Sequence, residues 1–171
     1  MHSQTNLDKK YITALNLTDG SNFKLPNIGS LEEKKLLEPL EELYTNYSIK
    51  NLSEKMGKIY AEKIYFRDAF KQFDSTKDLI SYMIKGLGAV EEAGFKFNHI
   101  TRSSCDFFIE WSMHIKFKAN TPYEKSIGMS RFRFDSEGKV IFHQDYWDPT
   151  TLIYSKIPIA KQLIRFVQKR L

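Results

Sequence analysis

One cysteine, Cys105, is all the sulfhydryl chemistry the sequence offers, which excludes an internal disulfide framework and any cysteine-rich zinc site. No run of about 18 apolar residues occurs, so no segment reads as a membrane-spanning helix. Met1 to Gly20 lacks the apolar stretch of a secretory signal, and a cytoplasmic location is the expectation. Repeats and low-complexity tracts are also missing, which removes solenoid and linker architectures. Acidic residues are absent from the final stretch, where Lys156, Lys161, Arg165, Lys169 and Arg170 supply the whole formal net charge of +5. Before it, 21 basic residues balance 21 acidic ones. A nucleic-acid binder usually spreads basic charge across its folded body, and this body is neutral, so nucleic acid is not an expected partner.

Aromatic residues are plentiful. They make up 14% of the 171 residues, with 13 Phe and 9 Tyr, enough for a large core or a lined cavity in one domain. Residues 1–29 are polar and aperiodic, broken by Asp19-Gly20 and Leu25-Pro26, and read as a flexible arm or a strap over the surface. Residues 30–171 read as a single domain. Ser30 and Glu33 have capping-box spacing, and Leu36, Leu40, Leu43, Tyr44 and Tyr47 form one helical stripe in which Pro39 predicts a kink or fresh start. Asn51 with Glu54 predicts a second helix carrying Leu52, Met56 and Tyr60. Ser75 with Asp78 predicts a third, with Leu79, Tyr82, Met83 and Val90 inward, ending near Gly94.

The remainder turns to strands, predicted over Ala61 to Asp68, Phe95 to Thr101, Asp106 to Lys118, Tyr123 to Phe134 and Lys139 to Trp147. A last amphipathic helix is predicted from Pro158 to Leu171; its basic face reads as solvated, with the helix closing the domain rather than resting on a membrane. Helices followed by a meander of antiparallel strands define an α+β domain. Alternation along the third of these strands puts Phe107, Ile109, Trp111, Met113, Ile115 and Phe117 on a dry face. On the last, Ile141, His143, Asp145 and Trp147 share one face, while Val140, Phe142, Gln144, Tyr146 and Asp148 share the other. Both faces hold apolar residues, so both should be covered, the outer one by a second subunit through Val140, Phe142 and Tyr146.

Three short motifs occur in order: Tyr60-Ala61-Glu62 with Tyr65-Phe66-Arg67-Asp68, then Phe132 to Val140, then His143-Gln144-Asp145-Tyr146-Trp147-Asp148. With the helix order and the strand meander they resemble the nuclear transport factor 2-like superfamily, which includes ketosteroid isomerases and SnoaL-like polyketide cyclases. The resemblance spans roughly Leu31 to Leu171. It implies a curved antiparallel sheet folded with N-terminal helices into a cone, often with a ligand cavity, and frequent homodimers. Carried across by motif, Asp68 falls at the isomerase base, Tyr44 at its oxyanion tyrosine, and Ser130 at a position the isomerases fill with a protonated acid. Asp68 is followed here by Ala69 where relatives often have proline.

His143 and Asp145 are similar in kind to the acid–base groups of the cyclases. A carboxylate in an apolar cavity is prepared to move a proton, which makes Asp145, Asp68, His143 and Tyr44 the catalytic candidates. Trp147, Trp111, Phe66, Ser130, Phe132 and Met113 are the candidate ligand-binding walls. Each has a plainer reading: Asp145 and His143 bonding to one another, Asp68 capping a turn, Tyr44 and Trp111 packing in the core. Two ligands make a weak metal site, so no metal and no cofactor is expected. The expected activity is binding of a small hydrophobic or cyclic molecule, with isomerisation, cyclisation or water addition if the protein is an enzyme. The alternative is a non-catalytic dimerisation or protein-interaction module.

Overall fold

Three serines start three helices. In the computed structural model, which describes residues 2–20, 23–154 and 166, Ser30 Oγ accepts the Glu33 amide, Ser48 Oγ that of Asn51, and Ser75 Oγ that of Asp78. Each bond satisfies one of the amides that a helix start leaves without a partner. The helices are α2 (Leu31–Thr45), α3 (Ile49–Ile59) and α4 (Thr76–Leu87), preceded by α1 (His2–Leu17). Ser48 rather than Asn51 opens α3, Pro39 lies within an unbroken α2, and α4 stops at Gly88, short of the predicted Gly94. The strands are β1 (Tyr60–Arg67), β2 (Gln72–Ser75), β3 (Glu92–Ser103), β4 (Asp106–Lys116), β5 (Glu124–Phe134) and β6 (Val140–Trp147), followed by a short α5 (Pro149–Leu152). Strand β2 is too short and too polar to stand out in the sequence.

The strands form one curved, unclosed sheet in the order β2-β1-β6-β5-β4-β3. All pairs are antiparallel except β1 with β6. Burial alternates without a break along β4, as the pattern predicts, with Phe107, Ile109, Trp111, Met113 and Ile115 inward. Helices α2, α3 and α4 fill the inner side: Leu40, Leu43, Leu52, Met56 and Leu79 are fully buried against Phe66, Phe107, Phe132 and Phe134. Each such side chain stabilises the fold by roughly 1.5–3 kcal/mol relative to exposure. A buried ion pair, Arg102 to Glu33 at 2.8 Å, ties the start of α2 to β3.

Two expectations for the outer face change. The polar N-terminal segment contains a helix, α1, whose Tyr11, Ala14 and Leu15 pack on Tyr65 and Phe142. The rings of Tyr65 and Phe142 stack there at 4.9 Å, and Phe142 is completely buried under its own chain. Arg133 accounts for the docking: its Nη1 donates to Leu15 O and Thr18 Oγ1 at the C-terminal end of α1, while its Nε pairs with Asp106. Arg131 shares Asp106 and donates to the Tyr11 hydroxyl. Val140 does not face outward either. The register slips by one between Arg133↔Phe142 and Phe134↔Val140, a bulge that turns Val140 into the inner core. Of the three residues expected on a dimer face, Tyr146 alone is exposed. The predicted helix over 158–171 lies outside the described residues.

Candidate functional site

Between the inner sheet face and helices α2 and α4 lies a cavity of about 370 Å³. All ten residues proposed from the sequence line it. Tyr44 comes from the last turn of α2, Phe66 and Asp68 from the end of β1, and Trp111 and Met113 from β4. Ser130 and Phe132 come from β5, and His143, Asp145 and Trp147 from β6. Period-two alternation explains the last three sets, because residues two apart on a strand share a face. Gly128 completes the wall: a Cβ there would stand 2.3 Å from the Trp111 ring, so only glycine lets the indole lie across β5.

The polar groups form one chain of hydrogen bonds. Tyr44 and Tyr60 hydroxyls are 2.9 Å apart, Tyr60 meets His143 Nδ1 at 3.0 Å, and His143 Nε2 meets Asp145 Oδ1 at 2.7 Å. From the other side Trp111 Nε1 donates to Ser130 Oγ at 2.8 Å, and Ser130 donates to Asp145 Oδ1 at 2.5 Å. Donor chemistry fixes the direction. An indole only donates and a carboxylate only accepts, so Ser130 passes its proton to Asp145. With Asp145 ionised, His143 carries its proton on Nε2, and a neutral imidazole then accepts from Tyr60, which accepts from Tyr44. Burial pushes both phenols well above their ordinary pKa, which keeps them protonated donors, and the Asp145 charge adds to the effect in each. Every donor in the chain therefore points toward one oxygen. Asp145 Oδ2 accepts no hydrogen bond among the described residues, and the side chain is 18% exposed.

Asp68 lies elsewhere on the cavity wall in a different setting. Its Oδ1 accepts the amides of Phe70 and Lys71, and its Oδ2 accepts the Tyr82 hydroxyl at 2.6 Å. The turn-capping reading is thus realised, and the carboxylate still borders the cavity. Tyr44 reaches Asp145 only through Tyr60 and His143. Tyr60, Tyr47, Tyr82, Phe95 and Phe97 complete the network and the walls, and sequence reasoning placed the tyrosines only as inward stripe residues. A signal was present: a phenol on a buried stripe needs a partner for its hydroxyl, and the stripes read from the sequence carry Tyr44, Tyr47, Tyr60 and Tyr82. Among the described residues no three His, Cys, Asp or Glu side chains converge on a metal-binding geometry.

A sheet curved around helices in this way is the fold of the nuclear transport factor 2-like proteins, and solved structures share it. A SnoaL-like protein of the polyketide cyclase group from Jannaschia sp. CCS1 superposes with a TM-score of 0.59 at 8% identity, covering 75% of this chain and 95% of that one. An LEH-like epoxide hydrolase of M. tuberculosis gives 0.54 at 12%, covering 68% and 82%. A protein with a ketosteroid isomerase-like fold from Catenulispora acidiphila, in complex with trimethylamine, gives 0.56 at 13%, covering 67% and 85%. No curated protein matches the chain in sequence. Residues 34–143 match the family described as "Uncharacterized conserved protein (DUF2358)", and the chain belongs to that family.

Proposed function

We propose that the protein binds a small hydrophobic or cyclic molecule in this cavity and moves a proton on it, with Asp145 as the acid–base group. The observation that supports this is the convergence of two hydrogen-bond chains on Asp145 Oδ1, with Oδ2 left without a partner among the described residues beside apolar walls. Two donors on one oxygen hold the carboxylate in a single orientation, and an oriented base needs no reorganisation when the proton moves. Oδ2 takes a proton from carbon or water and returns it at another position, which is the shared step of isomerisation, cyclisation and water addition. His143 and Ser130 position Asp145. The aromatic walls exclude water and hold a flat substrate. The names of the SnoaL-like and epoxide hydrolase-like neighbours agree with such chemistry, and the trimethylamine of the Catenulispora protein is a precedent for a small molecule on this fold.

A thermal-shift screen of terpenoids, steroids and polyketide-like aromatics tests the binding. A ligand at about 100 times its Kd adds about 2.7 kcal/mol of stability, and Trp147→Ala should remove the shift. Asp145→Asn should then abolish turnover of any hit while leaving its affinity largely intact. Unchanged turnover would remove Asp145 from the mechanism.

A second reading is favoured by one surface. Ile127, Met129 and Tyr146 are exposed on the outer face, with Met129 directly opposite Tyr146 across β5 and β6. As an association module the chain would pair with a second copy there. Met129→Glu should then halve the mass in light scattering, and an unaltered mass would end that reading.

A further inference from the structure

The charge of the cavity is one-sided. Among the described residues its lining holds two carboxylates, Asp68 and Asp145, and no lysine or arginine. His143 is the one basic side chain among the described residues of the lining, and even as an imidazolium it would leave that wall with an excess of negative charge. Most donors that could greet an anion are already engaged: Trp111 and Ser130 give their protons along the chain to Asp145, Tyr44 gives its own to Tyr60, and Tyr82 gives its own to Asp68, which leaves the neutral Tyr47 hydroxyl as the unengaged donor among the described residues of the lining. The rest is largely ring surface. Tyr47 and Phe95 stand edge to face at 5.0 Å, Phe95 and Trp111 likewise at 5.4 Å, and Trp147 closes another side. Aromatic faces carry partial negative charge and attract cations, most strongly where water is excluded. Negative walls with few free donors select against carboxylates and phosphates, and neutral ligands gain nothing from the field.

We infer that the molecule accepted by this cavity is an organic cation: an amine or quaternary ammonium on a compact hydrophobic body. The inference rests on the reading of the cavity as a small-molecule site and names the class of molecule. The ammonium group lies in the field of Asp68 and Asp145, and the apolar body lies against the rings. An acid–base role for Asp145 is compatible with this arrangement, because Asp68 supplies a second countercharge when Asp145 takes up a proton.

Three probes with one hydrocarbon body test it: 1-aminoadamantane, protonated at neutral pH, 1-adamantanol and 1-adamantanecarboxylate, titrated by calorimetry into the full chain. The amine should bind at least tenfold more tightly than the alcohol, and the carboxylate more weakly than the alcohol. Asp68→Asn and Asp145→Asn should each reduce the amine's advantage while the alcohol's affinity stays within about twofold, which also reports that the variants remain folded. If the alcohol binds the wild type as tightly as the amine, the cation inference fails and the small-molecule reading stands. If none of the three binds, the cavity does not accept compact hydrophobic molecules and both readings fail.

Discussion

Removing one oxygen from Tyr60 should be far more damaging than removing one from Tyr44, although both hydroxyls belong to the same hydrogen-bond chain. Tyr60 is in the middle: it bonds Tyr44 on one side and His143 Nδ1 on the other. Tyr60→Phe therefore breaks two bonds. The freed Tyr44 hydroxyl borders the cavity and finds water there, but His143 is 1% exposed and its Nδ1 has nowhere to turn. An orphaned buried acceptor costs roughly 1–3 kcal/mol, and the lost bonds add about 1 more, so Tyr60→Phe should cost roughly 2–4 kcal/mol. Tyr44→Phe breaks one bond and leaves Tyr60 still donating to His143, for about 0.5–1.5 kcal/mol. Once Tyr60 is phenylalanine, the Tyr44 hydroxyl no longer has its buried partner, so the double variant should be no worse than Tyr60→Phe alone. Urea unfolding followed by circular dichroism reads all three against the wild type. Equal costs for the two single variants, or strict additivity in the double, would refute the direction assigned to the chain.

Gly128→Ala should push the Trp111 ring off Ser130, because the new Cβ would overlap ring atoms at 2.3 and 2.4 Å; an overpacking cost of about 1–3 kcal/mol and a changed tryptophan emission are expected, and an unaltered spectrum would count against it. Acid stability should depend on Asp106. Burial alone would raise its pKa, but the hydrogen bonds and charges of Arg131 and Arg133 outweigh burial and hold it below the ordinary value. Its contribution is complete above the unfolded-state pKa of about 3.9 and is lost as pH falls through the lower folded value, so Asp106→Asn should flatten the stability profile below about pH 4 and lower it above. Arg133→Ala should release the C-terminal end of α1 and remove one of two partners from Asp106, at about 3 kcal/mol, with proteolysis near Leu15 as the readout; protection equal to the wild type would show that α1 docks without the Arg133 bonds.

Strand parity carried most of what the sequence revealed of the site. From Phe142 to Trp147 the register is unbroken, so His143, Asp145 and Trp147 were legible as one face, and β4 and β5 were legible in the same way. Parity also explains the miss at Val140, because a bulge at Ile141 inverts everything before it and leaves no mark in the composition. The link from Tyr60 to His143 spans 83 residues and depends on the parallel pairing of β1 with β6, which no local pattern encodes. Helix α1 was hidden for a different reason. It contacts the sheet through Tyr11, Ala14 and Leu15, too few apolar positions to produce a stripe, and arginines that donate from β5 help to dock it.

The docking of α1 also constrains how the outer face can be used. A sheet face left bare would expose Tyr65 and Phe142 in addition to Ile127, Met129 and Tyr146, with Arg131, Arg133 and Gln144 among them, and so enlarge the apolar area of the kind that drives association. Helix α1 covers the first two and leaves the rest, with Ile12 on the helix itself also exposed. A second copy approaching this face must therefore meet a surface made partly of sheet and partly of α1. Undocking the helix then changes both the size and the composition of the contact. If Arg133→Ala frees α1, the apolar area available for pairing grows by the rings of Tyr65 and Phe142, and self-association should strengthen as stability falls. Those two effects have opposite signs on sample concentration: the melting midpoint of Arg133→Ala should rise with protein concentration more steeply than that of the wild type. A concentration-independent midpoint in both proteins would mean that the exposed strip does not pair copies of this chain, with or without its helix.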